Sequence, residues 1–179
     1  MGKANKPHFR FHVVSLPHTQ TTSEFNACAY TMKVVKFCRM MKSLGHEVFL
    51  YASEDNEAPC DELITIVSKE EQANWFGEYD FTQSMFKIDW DQALPYWQIP
   101  NARAVKAIQE RAEPRDFICL IGGVCQKQIA DGLPDMTPMC IVEDKAGNIW
   151  VGTRNMGLCR YNPSGAHTKG AKLFTSFSE

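Results

Sequence analysis

A chain of 179 residues is long enough for one well-buried core and too short for two full-sized open-sheet α/β domains, so one domain plus an appendage is expected. Hydrophobic content of 44% with 22% charged residues excludes a disordered chain. The net charge of −2 gains meaning when divided: residues 1–143 carry 14 basic and 19 acidic residues, whereas residues 144–179 carry 5 and 2, an excess too small to imply a nucleic-acid partner.

The seven cysteines (28, 38, 60, 119, 125, 140 and 159) form no C-x-x-C pair, and several lie in apolar runs where a thiol acts as a small hydrophobe. They read as reduced and structural. No apolar stretch reaches ~18 residues, and the start, MGKANKPHFRF, lacks the hydrophobic segment of a secretory signal. A cytoplasmic chain without a membrane span is expected. Lys6 stands where a myristoylation signal favours Ser or Thr, which argues against that modification.

Phe9 to Leu16 is a β-rich run closed by Pro17, and the polar loop HTQTTS leads from it into a helical pattern. Phe25, Cys28, Ala29, Met32 and Val35 recur there at the 3.6-residue period, with Lys33, Lys36, Arg39 and Lys42 on other faces as a solvated basic stripe. Thr22 or Ser23 is the expected cap, and Gly45 sits where a left-handed residue ends a helix. Glu47 to Ala52 is the next strand, which makes a βαβ crossover. Leu63 to Val67 is a third strand and Lys69 to Phe76 a short helix. The stretch from Phe81 to Pro100 holds Phe81, Phe86, Trp90, Tyr96 and Trp97, too many aromatics for a solvent loop, and reads as a lid or crevice wall. Asn101 caps a helix through Arg111, and Asp116 to Ile121 is the most apolar strand. Gly122 and Gly123 then turn the chain, Gln126 to Ala130 begins a helix, and Pro138 to Val142 is a last short strand. The alternation implies an α/β fold with a mainly parallel sheet covered on both faces.

The segments HVVSLPHTQTTSEFNACAYTMKVVKFCRMMKSLGHEVFLYA and PNARAVKAIQERAEPRDFICLIGGVCQKQIADGLPD resemble the amino-terminal, Rossmann-like domain of two-domain (GT-B) glycosyltransferases of bacterial and phage genomes. The resemblance rests on the PHTQTT loop, the CAYT helix start, the GHEV strand entry and GG-x-x-QK-x-IAD, and covers about Phe9 to Glu143. It implies an acceptor-binding domain over 1–143, a nucleotide-sugar donor held mainly by a second domain, and no cofactor. After Glu143 the chain departs from that pattern. Glu143, Asp144, Gly147, Asn148, Trp150, Gly152, Thr153, Gly157 and Tyr161 resemble one repeat of the propellers attached to two-component regulators. DKAGN reads as a hairpin turn, IWVGT and GLCRY as paired strands and KLFTSF as a third, so that 144–179 form a small antiparallel hairpin or meander.

The loop after the first strand lies where open α/β sheets bind ligands. By the resemblance His18 is a candidate base for the acceptor hydroxyl; the alternatives are a ligand contact and a residue that merely caps or packs at the loop. Thr19, Gln20, Thr21 and Thr22 are candidates to hold sugar hydroxyls, or to satisfy free helix N–H groups. Gly122, Gly123, Gln126 and Lys127 are the second candidate group: the glycines permit close approach of a ligand and Lys127 suits a phosphate or carboxylate, although a plain tight turn explains the glycines as well. Asp131 and Asp135 lack ligand spacing, so no metal is expected. Trp90, Tyr96 and Trp97 stack on sugar rings or pack in the core. The expected function is the acceptor half of a sugar transferase, incomplete without a donor-binding domain; the alternatives are a non-catalytic binding or sensory module, or a chimeric fragment.

Overall fold

The computed structural model describes residues 8–77, 79–83, 88–113, 115–132, 138–143, 149–153, 158–161 and 174–177. Four strands form an all-parallel sheet: β1 (Arg10–Val14), β2 (Glu47–Ser53), β3 (Glu62–Val67) and β4 (Phe117–Leu120), in the order β3-β2-β1-β4. The α/β expectation holds. Strand residues alternate between two cores, as the two-residue period requires. Phe11, Val13, Val48, Leu50 and Cys119 face α1 (Ala29–Ser43) through Val34, Val35, Cys38 and Met41. Val14, Phe49, Tyr51, Ile118 and Leu120 face α3 (Pro95–Arg111) through Ala104 and Ile108. Helices therefore cover both faces. Cys28, Cys38, Cys60, Cys119 and Cys125 carry free thiols, and burial pushes Cys38 and Cys119 up to about 12 and Cys125 to about 11. Cys38 and Cys119 behave as apolar filler, whereas the Cys125 thiol donates to Gly122 O at 2.8 Å.

The start of α1 differs from its sequence reading. Ser23–Phe25 form a separate 3-10 turn, and the helix begins only at Ala29 with Cys28 at its cap position and no side-chain cap. Neither Thr22 nor Ser23 caps it: Thr22 makes no side-chain cap bond, and Ser23 donates through its hydroxyl to Glu57 Oε1 at 3.3 Å. The buried face is rotated accordingly, to Thr31, Val34, Val35, Cys38 and Met41, while Ala29 is exposed and Met32 half-buried. At the other end Gly45 has φ +84°; its N–H reaches Lys42 O at 3.0 Å and the His46 N–H reaches Met41 O at 3.0 Å, the paired bonds that close a helix through a left-handed residue. A Cβ at Gly45 would meet nothing within 4 Å, so the Gly45→Ala variant isolates the backbone cost. A loss of about 1–2 kcal/mol in urea unfolding is expected.

Helix α2 (Lys69–Phe76) spans its expected residues because Ser68 and Glu71 form a reciprocal capping box. Glu71 also takes a bidentate pair from Arg103 of α3, which holds its carboxyl down to about 2 and fixes α2 against α3. Helix α3 starts at Pro95, six residues ahead of the expected cap. Pro95 needs no N–H partner in a first turn, and Asn101, 5% exposed, uses its amide to donate to Cys125 O at 2.8 Å. In the aromatic stretch Trp97 is fully buried, donates to Asp89 O at 2.9 Å and stacks under the half-exposed Trp90. Phe86 lies outside the described residues.

At the amino edge of the sheet, His12 is buried between Tyr51 Oη, 2.7 Å from Nδ1, and Asp116 Oδ2, 2.9 Å from Nε2. Beyond a 3-10 turn (Gly123–Gln126), α4 runs Lys127–Gly132. Four further strands, β5 (Pro138–Glu143), β6 (Ile149–Thr153), β7 (Leu158–Tyr161) and β8 (Phe174–Phe177), pair antiparallel in chain order. The strand expected to close the parallel pattern thus pairs with β6 instead, because the short DKAGN connection is compatible only with antiparallel pairing. The DKAGN turn itself, Gly157 and Asp135 lie outside the described residues.

Candidate functional site

Val14 ends β1, and from Leu16 to Thr22 every residue is buried. A polar loop is buried only when its groups find partners, and most of these do. Thr21 forms a parallel bridge to Asn56: its N–H donates to Asp55 O at 3.1 Å, its carbonyl accepts from Glu57 N at 2.9 Å, and its hydroxyl donates to Asn56 Oδ1 at 2.6 Å. Gln20 accepts from Asp55 N at 2.7 Å and donates to Gln72 Oε1, while Gln72 donates to Pro17 O at 3.2 Å. Thr19 shares a short hydrogen bond with Thr31 of α1. The Thr22 hydroxyl is buried with no hydrogen-bond partner among the described residues. The loop is therefore tied to β2's exit, to α1 and to α2 by its own side chains.

Beside this loop lies a pocket of about 190 Å³. One wall is a single face of α2: Lys69, Gln72, Ala73 and Phe76 stand at helical spacing. Tyr79, Asp80, Phe81 and Thr82 line it as well, with Phe25 from the 3-10 turn and His18 from the β1 loop. The His18 ring lies 5.1 Å from the Phe81 ring, with Nε2 3.4 Å from Cys28 Sγ. Burial drives its pKa down to about 3, so the imidazole is neutral at physiological pH, and it is a weak base there. Lys69 pairs with Asp55 at 2.7 Å, and Asp80 accepts from the N–H and hydroxyl of Thr82, which lowers its carboxyl below the ordinary range. Phe81 meets the Phe76 ring edgewise and the Tyr79 ring at a tilt. Aromatic faces thus stand beside an amide, a hydroxyl, a carboxylate and a neutral imidazole.

The second sequence candidate lies across β1, at the carboxyl end of β4. Gln126, 1% exposed, accepts from Gly122 N at 2.7 Å and donates to Val14 O and Ser15 O at 3.1 Å each. The space a side chain at Gly122 would need is filled by Leu16 and Cys125. Gly123 has φ +59°, and Lys127 is exposed at the start of α4. The crevice between β1 and β4 is where the strand order reverses. It is plugged by the chain's own amide.

Of the sequence candidates, His18 lines the pocket; Thr19, Gln20 and Thr21 hold the loop that presents it; Gly122, Gly123, Gln126 and Lys127 stand apart. The α2 face was missed, although Phe81 belongs to the stretch read as a crevice wall. Among the described residues no group of three or more His, Cys, Asp or Glu is placed to hold a metal ion, and no helix is long and apolar enough to cross a membrane.

The family described as two component regulator propeller matches residues 132–155. The C-terminal tail therefore carries a propeller-type repeat. The match takes in Glu143, Asp144, Gly147, Asn148, Trp150, Gly152 and Thr153, and with them β5 and β6. It spans too little of the chain to assign the whole to a family. No curated protein and no solved structure matches the chain.

Proposed function

We propose that the parallel-sheet part of residues 1–143, ahead of the repeat matched at 132–155, is the acceptor-binding half of a GT-B-like sugar-transferring protein, and that the pocket beside the β1 loop takes a sugar ring of the acceptor. The observation that carries this reading is the lining: Phe25, Phe76 and Phe81 offer flat apolar faces to the C–H side of a ring, while Gln72, Thr82 and His18 offer hydrogen-bonding groups to its hydroxyls. The pocket lies at the carboxyl edge of a parallel sheet in the β3-β2-β1-β4 order, the edge that open α/β folds use for ligands. In this reading Thr19, Gln20, Thr21 and Thr22 shape the loop that carries His18. The nucleotide-sugar donor falls to a second domain, a role that the propeller-type tail does not fill.

The low basicity of His18 supports a second reading, in which the pocket binds a carbohydrate without transferring it. The two are separated by one series of measurements. Backbone NMR of the full chain with a panel of methyl glycosides is expected to show saturable shifts at Ala73, Phe76, Phe81 and Thr82, and the Phe76→Ala variant is expected to weaken binding at least tenfold, the loss of one aromatic contact. Shifts confined to other residues, or none with any glycoside, would sink the pocket assignment. Transfer from a nucleotide-sugar after adding a donor-binding domain in trans would select the enzyme over the binding module.

A further inference from the structure

The outward face of α1 carries an unusual mixture. Lys33, Lys36, Met40 and Leu44 follow one another at helical spacing, Arg39 stands beside them, and all five are exposed, Met40 and Leu44 at 50% each. The helix contains no Asp or Glu. Of its four cations Lys42 pairs with Asp61 and Lys33 lies 5.1 Å from the Tyr30 ring centre, while Lys36 and Arg39 make no ion pair among the described residues. The asymmetry extends along the chain: residues 1–46 hold seven basic residues and one acid, Glu24, whereas residues 47–143 hold seven basic and eighteen acidic ones. On a protein that is acidic overall, this helix face thus carries Lys33, Lys36 and Arg39 with no acid from its own helix beside them. Among the described residues, two of the four exposed large apolar side chains, Met40 and Leu44, sit within it.

We propose that this face of α1 docks on an anionic lipid surface, Met40 and Leu44 entering the headgroup layer while Lys33, Lys36 and Arg39 meet lipid phosphates. A phosphodiester backbone would satisfy the three cations, but it has nothing to offer a thioether and an isobutyl group in the same row. A bilayer interface uses both, since apolar side chains enter the acyl boundary and basic ones are drawn to anionic headgroups. A row along the outer face of one helix is convex, which suits a planar partner better than a peptide. Docking there is peripheral. It is independent of the pocket reading, which rests on α2 and the β1 loop.

The test is sedimentation of the full chain with vesicles of phosphatidylcholine alone and of phosphatidylcholine mixed with phosphatidylglycerol, at low and high salt. The protein is expected to pellet with the anionic vesicles only, and less at high salt. The Lys33→Gln/Lys36→Gln variant is expected to lower the partition coefficient roughly 25-fold, about fivefold per charge. Met40→Gln/Leu44→Gln is expected to lower it about tenfold. Because all four side chains are exposed, both variants should keep the parent's circular dichroism and melting midpoint, and Arg39→Gln gives a third variant should either fail to do so. Equal binding to neutral vesicles, no vesicle binding at all, or unchanged binding by folded variants would overturn the proposal. Retention on duplex DNA without vesicle binding would overturn it in favour of a nucleic-acid face.

Discussion

Replacing Gln126 with alanine is expected to cost about 4 kcal/mol of folding stability, read as a large fall in the urea midpoint at unchanged m-value. The side chain is 1% exposed and serves three backbone groups: it accepts from Gly122 N and donates to Val14 O and Ser15 O. Alanine removes all three partners at once, at about 1–3 kcal/mol for each group left buried and unpaired, and adds a cavity. Glutamate is the sharper probe. It keeps the shape but turns carboxylate oxygens toward two carbonyls, so Gln126→Glu should be as damaging near neutral pH and partly recover when the carboxyl is protonated. A loss below about 1 kcal/mol in Gln126→Ala would mean that water replaces the amide, and that the β1–β4 crevice is open to ligands after all. If the loss is large, the crevice is structural and, among the described residues, the pocket beside α2 is left as the candidate ligand site on this edge.

How much of this was legible in the sequence depends on the range of the interaction that decides each feature. The four parallel strands were visible because each is a short apolar run bounded by Gly, Pro or polar residues. Helix α2 was read simply as a short helix, and it keeps those bounds because the capping box that fixes its start is local: Ser68 and Glu71 are three residues apart. The start of α1 misled because Thr22 and Ser23 look like caps, yet Thr21 is bridged to Asn56 and Ser23 bonds Glu57, 34 residues away. Asn101 misled for the same reason, its amide being taken by Cys125 O, 24 residues on. The site divides along the same line. His18 stood out as a titratable residue just after a strand, whereas Lys69, Gln72, Ala73 and Phe76 read as an ordinary helix face until the fold sets them against the β1 loop. Gln126 looked like a ligand contact because a buried amide and a ligand-binding amide are the same residue in one dimension; its bonds to Val14 and Ser15 span more than a hundred residues.

Acidification within the mild range is expected to destabilise the fold through its histidines before its carboxylates titrate. Burial lowers the His18 pKa from its ordinary 6.5 to about 3, so between those values the unfolded chain binds a proton there that the folded chain does not. Stability is therefore whole above pH 6.5 and falls as the pH drops toward 3, by up to about 1.4 kcal/mol per pH unit. His12 acts in the same direction: burial lowers its pKa, and the bond to Asp116 only partly offsets that. The carboxylates join later, since Glu71 is held at about 2 by Arg103 and its contribution is lost only below its ordinary 4.5. Urea unfolding should thus show a loss of about 2 kcal/mol or more from pH 7 to 5, and the His18→Gln variant should show a visibly shallower slope over that interval. A flat profile from pH 7 to 5 would mean that His18 takes its proton in the folded state near 6.5, and that the ring reaches water through the pocket. The same measurement bears on catalysis. A ring that titrates near 3 is a poor general base, so if a sugar-transfer assay gives an acid limb near 6 that His18→Gln abolishes, the bound acceptor must supply the neighbouring negative charge that raises it.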